Sequence, residues 1–178
     1  MAILDVVYYG DPRLEQISEP VTELTPEVRK LVKDMFETMY FTNGVGLSAP
    51  QIGINRRILV IDVSGGNDLT KQITLINPTV VEQTGEQKGS EGCLSFPGLF
   101  ADVTRASYVK ARGIDLNGKP VELEGSELLA RAILHEIDHL DGILFTQRMK
   151  KADRENILKK MKKQQFQNNK EVKEKVLI

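Results

Sequence analysis

The chain has no tryptophan, one cysteine and two histidines among 178 residues. A lone cysteine, Cys93, excludes an internal disulfide and fits a reducing compartment. No apolar run approaches the roughly 20 residues that a membrane-spanning helix needs. The opening MAILDVVYYGD lacks the basic segment of a signal peptide, so a cytoplasmic setting is expected. What remains is ordinary for a globular protein: 40% hydrophobic and 28% charged residues. The length suits one domain with a substantial core.

Net charge is −1 but unevenly spread. Residues 148–178 hold 11 Lys plus Arg against 4 Asp plus Glu, a net of +7, and the remainder holds 13 against 21. A basic tail on an acidic body marks either attraction to nucleic acid or simply a solvated terminal helix.

TPEVRKLVKDMFETMYFTNG reads as an amphipathic helix with apolar residues at helical spacing. Thr25 can cap it, Pro26 suits the first turn, and Asn43-Gly44 can end it. RRILVIDV and QITLINPTVVEQ are β-branched strand candidates joined by SGGNDL. Two or three more strands are expected between Phe100 and Leu123, with a hairpin signal at Asn117-Gly118. GSELLARAILHEIDHLDG then predicts a helix, capped by Ser126, stopped at Gly142 and carrying a Glu127–Arg131 pair one turn apart. A last polar helix is expected from near Asp153. Strands and helices do not alternate regularly, so the expected class is α+β with mainly antiparallel sheet.

Both histidines, His135 and His139, lie in AILHEIDHLDG. On a helix Ala132, His135, Glu136, His139 and Leu140 share one stripe. Imidazoles and a carboxylate on a core-facing stripe need partners or a metal ion. Histidines at i and i+4 can hold one ion with Glu136 beside it as general base, which is the physics of HExxH. The alternative is a pair of hydrogen-bonded core histidines. A catalytic zinc-type site uses three protein ligands, and the chain has no third histidine. Asp141, Asp153, Glu155 and Cys93 are the candidates for the third. Cys93 reads equally as a soft-metal ligand or as a small buried hydrophobe.

Three stretches, GVGLSAPQIG (Gly44 to Gly53), EGCLSFPG (Glu91 to Gly98) and HEIDHLDG (His135 to Gly142), together resemble the peptide deformylase family in order and separation. The similarity runs from about Leu4 to about Met149. It implies a catalytic domain over residues 1–149 and a basic C-terminal helix over 150–178 that is not an independent domain. It implies sheets packed around a central helix carrying HExxH. It also implies that Cys93, His135 and His139 bind one divalent ion, Fe2+ in the cell, with Zn2+, Ni2+ or Co2+ able to occupy the same site in purified protein. By the same resemblance Glu136 is general base and then general acid, Gln51 and the Leu94 N–H stabilise the oxyanion, and Gly46 offers main-chain bonding to the substrate. Val45, Leu128 and Ala132 are candidates for the methionine pocket. The chain departs from the commonest family pattern at Ser48, Leu134 and Phe96, none of them a ligand.

The implied reaction is hydrolysis of the formyl group from N-formylmethionyl peptides, releasing formate. One rival is an HExxH metallopeptidase acting on unformylated peptides, and another is a Cys–His hydrolase with Cys93 as nucleophile. A third is a binding module for ribosome or RNA through the basic tail, which is compatible with the enzyme reading. Glu91 has two readings, an ion pair with Arg105 or a group orienting a metal ligand, and the ion pair is the expectation.

Overall fold

A computed structural model describes residues 2–176 of the chain. Helix α1 (Pro26–Phe41) starts as expected, with the Val28 N–H donating to the Thr25 hydroxyl at 3.4 Å and Pro26 in the first turn. Asn43, with φ of 55°, turns the chain out of it. Strands β1 (Gly46–Ser48), β2 (Ile58–Ile61), β3 (Ile73–Thr84), β6 (Tyr108–Ile114) and β7 (Pro120–Ser126) form one antiparallel sheet in the order β1-β2-β3-β6-β7. Strands β4 (Gln87–Cys93) and β5 (Phe96–Arg105) form a separate antiparallel pair. Helix α2 (Glu127–Leu140) packs on β1, β2, β6 and β7, and helix α3 (Lys151–Val176) lies on β5.

The alternation of strand side chains divides the core. In β2, Ile58 and Val60 join the Val32, Met35, Phe36 and Met39 face of α1. Leu59 and Ile61 point the other way, to Ile133, Ile137 and Leu140 of α2. Each such aliphatic side chain contributes about 1.5–3 kcal/mol by leaving water. The sheet is thus held between two helices, and α2 is buried continuously from Ala130 to Leu140. A third cluster joins Cys93, Phe96, Leu99 and Val103 of the hairpin to Leu14, Phe145 and two residues of α3, Ile157 and Met161.

Several local expectations differ from the structure. Ser126 sits at the N-cap of α2 but its side chain caps nothing. Glu127 follows with φ of 52°, so the first residue of the helix leaves helical phase. Consequently Glu127 does not pair with Arg131, which instead donates to Glu91 at 2.8 Å and to the Val103 carbonyl at 2.9 Å. The last helix begins at Lys151, two residues before the expected Asp153. Among the described residues no helix is long and apolar enough to cross a membrane.

Candidate active site

The three scarce residues meet. The Nε2 atoms of His135 and His139 are 3.2 Å apart, and Cys93 Sγ is 3.3 Å from His139 Nε2. All three ligand atoms lie within 4.8 Å of one another. One helix supplies both imidazoles because four residues bring side chains back to the same face. The thiol comes from the end of β4, where the register shifts between Gly92 and Cys93. Asp141, Asp153 and Glu155 are not part of this group.

The donor set suits a divalent ion. His135 presents Nδ1 to Glu91 Oε1 at 2.6 Å, which leaves Nε2 turned toward the thiol and the other histidine. A carboxylate behind an imidazole in this way fixes its tautomer and orientation. Burial pushes His139 well below the usual imidazole range, the direction that its neutral, ligating form requires. Glu91 does more than the expected pairing. It accepts two bonds from Arg105, at 3.0 and 2.6 Å, and one from Arg131 besides the contact with His135. Burial alone would raise its pKa, but His135 and Arg105 hold it well below the usual carboxylate range. Arg105 also donates to Asp138 at 2.7 Å, and Asp138 accepts from Arg148 at 2.7 and 3.0 Å. A chain of ionic contacts therefore runs from His135 through Glu91, Arg105 and Asp138 to Arg148. Neither Asp138 nor Arg148 stood out in the sequence, because a buried acid is recognisable only from what surrounds it.

Glu136 lies on the other side of the histidines. Burial pushes its carboxyl up to about 7. Among the described residues its Oε2 has no hydrogen-bond partner, and neither has His139 Nδ1. The opposite oxygen rests against the main chain of Gly46, so closely that a Cβ there would meet Glu136 Oε1 at 2.6 Å. Glycine at this position is a steric requirement of the carboxylate.

Gln51 is buried in a 3-10 turn, Ala49–Ile52, that follows β1. Its Oε1 accepts from both the backbone N–H and the hydroxyl of Ser48, each at 3.0 Å. That aims Nε2 toward Cys93 Sγ and Ser95 Oγ, each 3.5 Å away. Ser48 thus orients the Gln51 amide through one main-chain bond and one hydroxyl bond.

These groups open onto a cleft of about 580 Å³. Val45, Gly46, Gln51, Cys93, Leu94, Leu128, Ala132, His135 and Glu136 all border it, whereas His139 lies fully buried behind them. Leu128 is 51% exposed and Val45 37%, so both present apolar surface to whatever enters. The structure thus brings Val45, Gly46, Gln51, Leu94, Leu128, Ala132 and Glu136 to the same place as Cys93, His135 and His139.

Comparison with known proteins agrees with the geometry. The family model described as polypeptide deformylase matches residues 3–155. The chain is 48% identical to peptide deformylase from Acidobacterium capsulatum over 165 residues, covering 93% of this chain and 97% of the relative. It is 51% identical to peptide deformylase from Agathobacter rectalis over 152 residues, covering 85% and 93%. The fold is similar to the crystal structure of a peptide deformylase from Legionella pneumophila, with a TM-score of 0.89 and 40% identity over 94% of this chain and 98% of that one. It is similar also to a peptide deformylase from Synechococcus elongatus in complex with actinonin, with a TM-score of 0.85 and 40% identity over 88% and 86%. With a matching family model over most of its length and relatives near half identity, the chain belongs to the polypeptide deformylase family.

Proposed function

We propose that this chain hydrolyses the formyl amide at the N-terminus of formylmethionyl peptides, yielding formate and a free amine. The observation that carries the reading is the Cys93–His135–His139 cluster with the buried Glu136 carboxyl beside it, at the floor of an open cleft. Cys93, His135 and His139 would hold one divalent ion. When bound, such an ion supplies the Lewis acidity that makes water a competent nucleophile near neutral pH. Ferrous iron is the ion assigned for the cell, by likeness to the family, and zinc, nickel or cobalt suit the same donors.

The chain's own groups do the rest. Glu136, raised to about 7, takes a proton from the attacking water and returns it to the departing nitrogen. The Gln51 amide and the Leu94 N–H stabilise the oxygen that gains charge, each such donor being worth about 100- to 1,000-fold in rate. Gly46 lies on β1, an edge strand that among the described residues pairs only with β2, so an extended substrate can add to its other edge through main-chain bonds. Val45, Leu128 and Ala132 form the apolar wall for the methionine side chain.

The test is formate release from a short formylmethionyl peptide by nickel- or cobalt-loaded protein. Turnover of the formylated peptide and not of its unformylated counterpart is expected. A fully loaded protein that cuts only the unformylated peptide sinks the deformylase reading.

Chains emerging from the ribosome as substrate fit a cytoplasmic enzyme, and we assign the basic tail a role as a ribosome-docking element. Helix α3 exposes Lys159, Lys160, Lys162 and Lys163 while burying Ile157 and Met161. Lys160→Glu with Lys163→Glu should weaken co-sedimentation with ribosomes at low salt, since phosphate contacts are strongly salt-dependent. Unchanged binding removes the docking role. Charge reversal is cleaner than deleting residues after Met149, which would also strip Ile157 and Met161 from the core.

A further inference from the structure

The two groups assigned to oxyanion stabilisation come from different parts of the fold. Gln51 follows β1 of the larger sheet, and Leu94 sits in the turn between β4 and β5 of the smaller one. Donors of this kind act only when both stand about 2.7–3.1 Å from the same developing charge, so the separation of two independent loops has to be held.

Residues 6–9 run across both loops. The Val7 N–H donates to the Gln51 carbonyl at 2.8 Å, and the Tyr9 N–H donates to the Ser95 carbonyl at 3.0 Å. Side chains alternate along this stretch as in any extended segment. Val6 and Tyr8 face the cleft. Val7 and Tyr9 pack on the cluster of Phe96, Leu99, Ile157 and Met161, and the Tyr9 ring lies 5.0 Å from that of Phe96. The stretch is anchored further at its C-terminal end. Gln165 of α3 donates to the Tyr9 carbonyl, and Arg13, a few residues on, sits where a Cβ on Gly53 would be, at the end of the Gln51 turn.

We propose that residues 6–9 are a strap that sets the spacing between Gln51 and Leu94, with Tyr9 and Gln165 as positioning residues for the reaction. The strap rests on the assignment of Gln51 and Leu94 made above. Its inner edge is part of the substrate cleft and its outer edge is locked by the C-terminal helix, so α3 contributes to turnover without reaching the reacting atoms.

A double-mutant cycle tests this, read as kcat and KM on a formylmethionyl dipeptide with metal content matched. Tyr9→Ala should lower kcat about tenfold with little change in KM, a fraction of the ~100-fold that a 1 Å misplacement costs. Tyr9→Phe should restore wild-type kcat, because the ring and not the hydroxyl makes the contact. In a Gln51→Ala background, where the spacing no longer matters, Tyr9→Ala should cost less than about twofold, the non-additivity expected of coupled residues. Equal factors in both backgrounds, or an unchanged kcat, overturn the strap. Full kcat in Gln51→Ala alone overturns the Gln51 assignment and the strap with it. Should Tyr9→Ala fail to fold, Gln165→Ala serves in the same cycle, with a loss of roughly two- to threefold expected.

Discussion

Helices α2 and α3 make opposite use of the same backbone. Helix α2 spends its 14 residues almost wholly inside the protein, with every position from Ala130 to Leu140 buried. Helix α3 is nearly twice as long, at 26 residues, yet in its first two turns and beyond only Ile157 and Met161 are buried among the described side chains. A helix buried all round cannot be held by an amphipathic stripe alone. Its polar groups need partners inside, and on α2 most have one: Glu91 for His135, the thiol for His139, and Arg105 with Arg148 for Asp138, while Glu136 Oε2 has none among the described residues. Helix α3 makes no such demand, and Lys151, Lys159, Lys160, Lys162 and Lys163 stay in water. The contrast teaches that chemistry was placed where each side chain is constrained from several directions, and charge where none is.

The sharpest way to break that contrast is Glu136→Ala. It should lower kcat for formate release by about 100- to 10,000-fold, the range of general acid–base catalysis, while metal content measured by mass spectrometry stays at one ion per chain. Next comes Glu91→Gln. It keeps the shape but removes the charge that three side chains share, so metal affinity, read by competition with a chelator, should fall about 10- to 100-fold. On α3, Met161→Ala should cost about 2–5 kcal/mol of stability by emptying a fully packed position, seen as a lower urea midpoint at unchanged m-value. At the small end, Lys162→Glu should shift stability by no more than about 0.5 kcal/mol and leave kcat on short peptides unaltered. A tenfold kcat loss there would erase the distinction between the two helices.

How much of this was legible in the sequence differs by element. The β-branched runs of β2 and β3, the Thr25–Pro26 start of α1 and the Gly142 stop of α2 were all readable, because each rests on local stereochemistry. The β4 strand was not. Its QKGSEGC has weak strand formers and little alternation, and it is extended because β5 pairs with it. Gly92 there is explained only by the Phe100 ring, 2.5 Å from where its Cβ would be. The Glu127–Arg131 pair fits helical spacing, but a buried carboxylate left short of partners is costly, and Arg131 goes instead to Glu91, 40 residues away. Within the site, HExxH marked the helix, and two histidines alone left the third ligand open. Likeness to the family named Cys93, and the fold brings it there. The partners behind the ligands could not be read at all, since they are distant in sequence and ordinary in type.

The convergence of the only thiol and the only two imidazoles on one point also makes this protein self-reporting. Any thiol reagent that reacts counts exposed centres and nothing else. The imidazole rings that contribute to a proton spectrum number two, and both belong to the same few ångströms. With no tryptophan in the chain, absorption from a thiolate bound to cobalt or nickel rises from an unusually clean near-ultraviolet background. Occupancy, oxidation and loss of the ion can therefore be followed in the unmodified molecule, with no label and no engineered probe.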